Sequence, residues 1–208
     1  MDDKAAVVLN PMFFMICLNP DFEGSSLDAM ELSQVLRKRR MIRHFKPEPI
    51  SDDILRKVIN AGNSAPTTSN ASYRRLMLIK DPRILRLFRD VAPGYTVSQA
   101  AAIIIVYTDL NVASAGENKT HVPWSSRMDA GAAAENIHLA AVDMGLGSCF
   151  FSSSSQEGIK ELLDFPAHCR PEIMVSLGYP MDGLPKPRKA SSEAKVVYVD
   201  KFGRRWDT

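Results

Sequence analysis

The sequence has few cysteines, no long apolar run and no large excess of charge of either sign. Three cysteines, Cys17, Cys149 and Cys169, lie far apart in 208 residues, and none belongs to a CxxC pair. This pattern argues against a disulfide framework or a zinc ribbon and favours a reducing compartment. No apolar stretch approaches the roughly 20 residues of a membrane-spanning helix. The acidic start is unlike a secretory signal, so we expect a cytoplasmic protein that does not span a membrane.

Several catalytic signatures are also missing. The chain has no HExxH, GxSxG or Walker-type loop, and Gly145-Leu146-Gly147 lacks the spacing of a dinucleotide fingerprint. With 26 basic against 24 acidic side chains, the chain as a whole is not a polyanion binder. Any anion site must therefore be local. An apolar content of 45% predicts a folded domain rather than a disordered chain.

Apolar periodicity predicts helices and strands that alternate without a strict βαβ rhythm. An irregular N-terminal arm (1–24) precedes a domain (25–208), whose first helix begins at Ser25 or Ser26 and ends near Met41. Further helices are expected after Ser51, after Asp81-Pro82, over 128–144 and over 159–163. Strands are expected at 75–80, 101–107, 173–177 and 195–200. We interpret 109–126, which contains Trp124, as a long loop, and we expect an α+β sandwich with one sheet.

Two basic clusters are candidate anion sites. The first has five cations in seven positions, and the second lies in a proline-rich turn: Arg37, Lys38, Arg39, Arg40 and Arg43, then Lys186, Arg188 and Lys189. Such a cluster is either a solvated helix end or a phosphate site, because guanidinium groups can grip two phosphate oxygens at once. Two clusters that are remote in sequence can form one pocket.

The segment 64–70 is rich in hydroxyl, amide and backbone donors. It suits hydrogen bonding to the edge of a heteroaromatic ring, or it is a plain loop with local hydrogen bonds. On an alanine-rich helix, His138 is interpreted as a core or interface histidine.

Five motifs in order resemble the FMN-dependent nitroreductase family. Residues 39–45 (RRMIRHF) resemble its R-R-S-x-R-x-F, and residues 65–70 (APTTSN) resemble the start of A-P-S-x-x-N-x-Q-P-W. Residues 145–149 (GLGSC) resemble G-L-G-T-C, residues 177–180 (LGYP) match L-G-Y-P, and Lys186-Pro187-Arg188 follows. The resemblance covers about residues 27–200.

The resemblance implies a three-layer α+β sandwich, with a mostly antiparallel central sheet flanked by helices, in a domain-swapped homodimer. The dimer would hold two FMN molecules at its interface, and a C-terminal strand at about 195–200 would pair with the partner's sheet. NADH or NADPH would reduce the flavin at N5, and a nitroaromatic, quinone or similar small acceptor would reoxidise it in a ping-pong reaction. No dedicated catalytic side chain is implied.

The resemblance also assigns cofactor contacts. Arg39, Lys186 and Arg188 would hold the phosphate, Arg40 the ribityl side, and Arg43 the flavin edge where negative charge gathers on reduction. The loop that reaches the partner's flavin would contain Pro66, Thr67, Thr68 and Asn70. The stretch near N5 would comprise Phe150, Phe151, Ser152 and Ser153, with the backbone N–H groups of the two serines facing that atom.

Four departures from the family pattern change the chemistry of the side chain. Met41 replaces a serine at the phosphate site, and Ser72, Tyr73 and Arg74 replace Gln, Pro and Trp. Two classes of alternative stay open: another flavin reaction on the same fold, such as reductive dehalogenation, flavin fragmentation or dehydrogenation, and a non-catalytic nucleic-acid-binding module. A cysteine hydrolase based on Cys149 with His138 or His168 is less favoured, because no third orienting group is evident.

Overall fold

The computed structural model describes residues 29–92, 99–115, 122–152, 155–187 and 197–206. The chain divides into two units, residues 1–30 and 31–208, and the expected N-terminal arm (1–24) lies outside the described residues. Six α-helices are described in the second unit, together with a 3-10 helix at Thr68–Asn70: α1 (Leu32–Lys38), α2 (Asp52–Asn63), α3 (Pro82–Val91), α4 (Leu110–Ala115), α5 (Val122–Asp143) and α6 (Gln156–Leu162).

One four-stranded sheet forms the centre of this unit. Its strands are β1 (Arg74–Ile79), β2 (Ala102–Asp109), β3 (Gly147–Phe151) and β4 (Cys169–Gly178), in the order β1-β2-β4-β3. Each neighbouring pair is antiparallel. The expected α+β class with an antiparallel central sheet is therefore confirmed.

Helices cover both faces of the sheet. Ile104 and Val106 of β2 pack in a cluster with α2 and α5, whereas Ile103 and Ile105 pack in a second cluster with α3 and α6. All four side chains are fully buried. This explains why β2 is a continuous apolar run, since alternate side chains point to opposite faces and both faces are covered.

Two of the helix starts follow the predicted capping chemistry. The Ser51 hydroxyl accepts a hydrogen bond from the Ile54 amide at 3.4 Å, and Asp81 Oδ1 accepts one from the Arg83 amide at 2.7 Å. Pro82 occupies the first turn of α3, where a missing N–H is tolerated. Both capping predictions are confirmed.

Two predictions about element boundaries are wrong. Residues 29–31 are not helical and α1 begins at Leu32, so no helix runs on from Ser25 or Ser26. The expected loop 109–126 contains α4 and the start of α5. Asp109 Oδ1 accepts hydrogen bonds from the amides of Asn111 and Val112 at 3.1 and 3.2 Å, which is an N-terminal helix signal that the prediction overlooked.

The sequence did not reveal β3. It begins at Gly147, four residues after the end of α5, and its GSCFF composition lacks a run of β-branched residues. Pairing with β4 makes it a strand. β4 itself is longer than the expected 173–177.

The described C-terminal residues lie outside the sheet. Tyr198 pairs with Arg205 in an antiparallel bridge, and the Trp206 amide donates to the Val197 carbonyl at 2.7 Å. Residues 195 and 196 of the expected exchanged strand lie outside the described residues, and the exchange stays a prediction. Among the described helices, none combines the length and apolar character needed to cross a membrane.

Candidate functional site

The first basic segment follows the edge strand of the sheet. α1 ends at Lys38 with Arg39 as its C-cap, and Met41 then forms a parallel bridge with Ser148 of β3. The Ile42 amide donates to the Ser148 carbonyl at 2.9 Å. Because β3 is an outer strand, residues 39–43 extend its edge and present arginines beside it.

Two paired glycines make room for this segment. Gly147 of β3 and Gly178 of β4 are register partners. A Cβ at Gly147 would lie 2.7 Å from the Ile42 side chain, and a Cβ at Gly178 would lie 2.7 Å from the Phe45 side chain. Side chains at either position would displace the segment. The glycines of the GLGSC and LGYP motifs therefore position residues 41–45 against the sheet.

The arginines of the segment differ in their surroundings. Arg39 Nε lies 3.3 Å from Glu135 Oε1 of α5 in a partly exposed ion pair. Arg40 Nη1 donates to the carbonyls of Arg37 and Arg39 at 2.9 and 2.7 Å, so its guanidinium turns back toward the end of α1. Arg43 is exposed, and its charge partly offsets the burial that raises the pKa of the Cys149 thiol.

Main-chain contacts join the end of the first basic segment to the residues that lead to the second basic cluster. After β4, Pro180 forms a bridge with Phe45, and the Met181 amide donates to the His44 carbonyl at 3.0 Å. Lys186 is exposed five residues further on, and Arg188 lies outside the described residues. The fold thus brings the strand exit that leads to Lys186 alongside residues 44–45.

Residues 150–152 lie at the C-terminal end of β3, the outer strand. The half-buried Phe150 ring packs edge-on against His138, with the ring centroids 5.6 Å apart. Phe151 is buried against Phe88 on the opposite face, so its ring belongs to the core. Ser152 is exposed, and Ser153 lies outside the described residues.

A buried histidine links α5 to β3. His138 is fully buried, and its Nδ1 hydrogen-bonds with the Ser148 hydroxyl. Burial, with a smaller contribution from the Arg39 charge, lowers its pKa to about 4, so the ring is neutral near pH 7. Within the described parts of the chain, its Nε2 is the one buried side-chain polar atom without a hydrogen-bond partner.

The predicted flavin-reaching loop lies between α2 and β1. Thr68 donates to Asp129 of α5 through its amide at 3.0 Å and its hydroxyl at 3.1 Å. Ser69 and Asn70 have positive φ angles of 55° and 53°. This backbone region costs a non-glycine residue about 1–2 kcal/mol, so surrounding contacts must hold it. Pro66, Thr68 and Asn70 remain exposed and Thr67 half-buried.

Four further hydrogen bonds brace this loop. Tyr73 Oη donates to Asp129 Oδ2. Arg74 donates to the carbonyls of Ala65 at 2.6 Å, Pro66 at 2.8 Å and Asn63 at 3.1 Å. The sequence analysis did not identify Asp129 as a contact of this loop. The available signal was a single carboxylate at the start of a stretch of α5 that is otherwise rich in small residues.

The basic segment and the loop between α2 and β1 contact different parts of α5. Thr68 contacts Asp129 and Arg39 contacts Glu135, six residues later, which is about 9 Å along a helix axis. The cation-bearing sheet edge is suited to an anionic ligand, and the loop is suited to a ligand that forms hydrogen bonds.

Comparison with known proteins places this mixed fold in a class of reductases. The model of the Nitroreductase family matches residues 36–100 and 94–179. The chain belongs to the nitroreductase family and is an oxidoreductase. It is 31% identical over 170 residues to an NADPH-dependent oxidoreductase of Staphylococcus aureus (strain bovine RF122 / ET3-1), covering 74% of this chain and 68% of that protein.

Solved structures agree with this assignment. An FMN-dependent nitroreductase from Clostridium difficile R20291 superposes with a TM-score of 0.70 at 25% identity, over 81% of this chain and 99% of that one. An NADPH:FMN oxidoreductase from Vibrio harveyi, complexed with NAD+, gives a TM-score of 0.71 at 24% identity, over 83% of this chain and 78% of that one. At this identity, the similarity to the Vibrio harveyi protein shows a shared fold only.

Proposed function

We propose that this protein is an FMN-dependent NAD(P)H oxidoreductase that passes electrons to a nitroaromatic, quinone or similar small acceptor. The observation that carries the proposal is the seating of residues 39–45 on the paired glycines of β3 and β4. That seating sets arginines beside β3, and main-chain hydrogen bonds join the segment to the strand exit that leads to Lys186. The names of the matched relatives support the same cofactor and electron donor.

The chemistry of the donor set fits FMN. The phosphate needs several cations, and Arg39 and Lys186 would hold it together with Arg188. The Glu135 carboxylate that pairs with Arg39 is half-exposed, so an incoming phosphate competes with a weak partner. Arg43 would lie at the flavin edge that becomes negative on reduction, and its fixed charge stabilises that state.

Bound FMN supplies the hydride chemistry at N5, and the protein supplies position and charge. The backbone of Ser152 would face N5, and Arg40 would lie on the ribityl side. Pro66, Thr67, Thr68 and Asn70 would approach the ring from the partner subunit. No dedicated acid or base is implied, because the cofactor carries the difficult chemistry and the protein supplies position and charge.

Exposed apolar side chains support the homodimer. On α1, Leu32 and Leu36 are 66% and 52% exposed, and on α5, Trp124 and Met128 are 70% and 55% exposed. Large apolar groups at this exposure on neighbouring helices are typical of an interface. Light scattering of the purified protein is expected to give twice the chain mass.

The direct test of the cofactor is the visible spectrum of the purified protein, followed by FMN titration of an Arg43→Gln variant. We expect a flavin spectrum in the wild type and FMN binding about tenfold weaker or more in the variant, because one charge-assisted contact is lost. Arg83→Gln is the matched control, since Arg83 is an exposed arginine of α3 that pairs with Asp81. A colourless protein that does not take up FMN contradicts the proposal.

The acceptor is tested by steady-state oxidation of NADH and NADPH with a nitroaromatic or a quinone. Ping-pong kinetics predict parallel lines in double-reciprocal plots. A flavin-containing protein that reduces neither acceptor would point to the other reactions of this fold, such as dehalogenation or dehydrogenation.

A further inference from the structure

The loop between α2 and β1 is held on its buried side by three side chains, two of which depart from the family pattern. Asp129 accepts three hydrogen bonds: from the Thr68 amide at 3.0 Å, from the Thr68 hydroxyl at 3.1 Å and from Tyr73 Oη. Asp129 and Tyr73 are only 7% and 3% exposed. A buried carboxylate with three donors is a strong, directional anchor.

Arg74 adds a second set of contacts on the same loop. Its guanidinium donates to three loop carbonyls, of Asn63, Ala65 and Pro66, and to the Asp129 carbonyl at 3.3 Å. The planar guanidinium can serve several acceptors in one plane, which a lysine cannot do. Its positive charge also lies close to the buried Asp129 carboxylate and compensates it.

The anchored loop contains backbone that would not stay in place by itself. Ser69 and Asn70 follow Thr68 in left-handed conformations, with φ angles of 55° and 53°. Such strain persists where surrounding contacts over-determine the backbone, and it is concentrated at ligand-binding sites. The anchors lie on the buried side of the loop, whereas Pro66 and Asn70 are exposed on its outer side.

We infer that Tyr73, Arg74 and Asp129 are positioning residues that hold residues 63–70 in the conformation that receives FMN, and thereby set the affinity for the cofactor. The inference rests on the proposed function. It gives two of the departures from the family pattern, Tyr73 and Arg74, a physical role: they replace a proline and a tryptophan with side chains that brace the loop.

The hydroxyl of Tyr73 is suited to this role. Burial first, and then its hydrogen bond to Asp129, raise the pKa of Tyr73 above its ordinary value. The hydroxyl therefore stays protonated at neutral pH and donates throughout the working range. Removing this one atom tests the anchor with little change in side-chain volume.

The test compares Tyr73→Phe with the control Tyr107→Phe. Tyr107 is a half-buried tyrosine of β2 whose ring packs against Phe165, and the substitution likewise removes one hydroxyl. Two quantities are measured for each protein: the Kd for FMN by fluorescence titration of the apoprotein, and amide hydrogen exchange of residues 63–72 without flavin. We expect Tyr73→Phe to raise the Kd about tenfold and to speed exchange in the loop, and the control to change neither.

The outcomes separate positioning from core stability. A purely structural role predicts a lower unfolding temperature for Tyr73→Phe with unchanged FMN affinity and unchanged loop exchange, and that result overturns the inference. If the wild type fails to bind FMN, the proposed function and the link to cofactor affinity both fail. Loop exchange then still shows whether Tyr73 anchors residues 63–70.

Discussion

Two segments contact α5, and they are held in place by different forces. Residues 39–45 are positioned by main-chain bridges to β3 and β4 and by close contacts over Gly147 and Gly178. Residues 63–70 are positioned by hydrogen bonds that Thr68 donates to Asp129 and that Arg74 donates to the loop carbonyls. The first segment is held by main-chain pairing and close packing, and the second is held by hydrogen bonds to side chains.

The difference follows from what each segment carries. The first carries several cations that a ligand would need, so its charged side chains cannot also serve as its anchors without competing with that ligand. The second offers small polar groups and can be tied down from behind by buried side chains. Substitutions that disturb close packing and substitutions that remove polar contacts should therefore affect different segments.

The largest effect is expected from Gly178→Ala. The new Cβ would lie 2.7 Å from the Phe45 side chain, and relief requires residues 41–45 to move off the sheet. We expect the free energy of unfolding to fall by about 3 kcal/mol in urea titrations. Gly131→Ala in α5 is the control, because a Cβ there meets nothing within 4 Å. Equal stability of the two variants would show that shape does not hold the segment.

The next effect concerns pH. The pKa of His138 is lowered from 6.5 to about 4, so the unfolded chain binds the proton more readily than the folded one. Stability is therefore lost as pH falls below the unfolded pKa, by about 2 kcal/mol from about pH 7 to about pH 5. Urea unfolding across this range measures the loss. In His138→Gln the slope in this window should flatten, and an unchanged slope would contradict a neutral buried ring.

A smaller effect is expected from Arg74→Lys. The ammonium group keeps the charge near Asp129 but cannot reach all the carbonyls that the guanidinium serves. We expect a loss of about 1 kcal/mol in the free energy of unfolding, with faster hydrogen exchange confined to residues 63–70. Arg75→Lys on the same strand is the comparison. Faster exchange spread over residues 39–45 as well would mean that the two segments are not held independently.

The smallest effect is expected from Glu135→Gln. The pair with Arg39 is partly exposed, with side-chain exposures of 42% for Glu135 and 31% for Arg39. Exposed pairs contribute about 0.5 kcal/mol or less, so stability should barely change. FMN binding should become slightly tighter, because the phosphate no longer competes with the carboxylate, and titration with FMN measures this. Weaker binding would mean that Glu135 positions Arg39 for the ligand.

The sequence predicted elements whose signals are local. The Ser51 and Asp81 caps and the buried run of β2 each depend on a few adjacent residues, and each was confirmed. β3 was missed because a GSCFF stretch becomes a strand only through its partner, β4. The loop expected at 109–126 was wrong because the capping role of Asp109 was overlooked at the end of an apolar strand.

The motifs by themselves determined the family, since five short patterns in a fixed order are carried by the chain and need no coordinates. Only the tertiary structure shows the role of the glycines in two of those motifs. Gly147 and Gly178 lie side by side, and their lack of a side chain makes room for Ile42 and Phe45. The anchor of the loop was likewise decided there, because Asp129 lies more than fifty residues from Thr68 and Tyr73. Sequence patterns record local preference and order, whereas contacts between distant residues exist only once the backbone has brought them together.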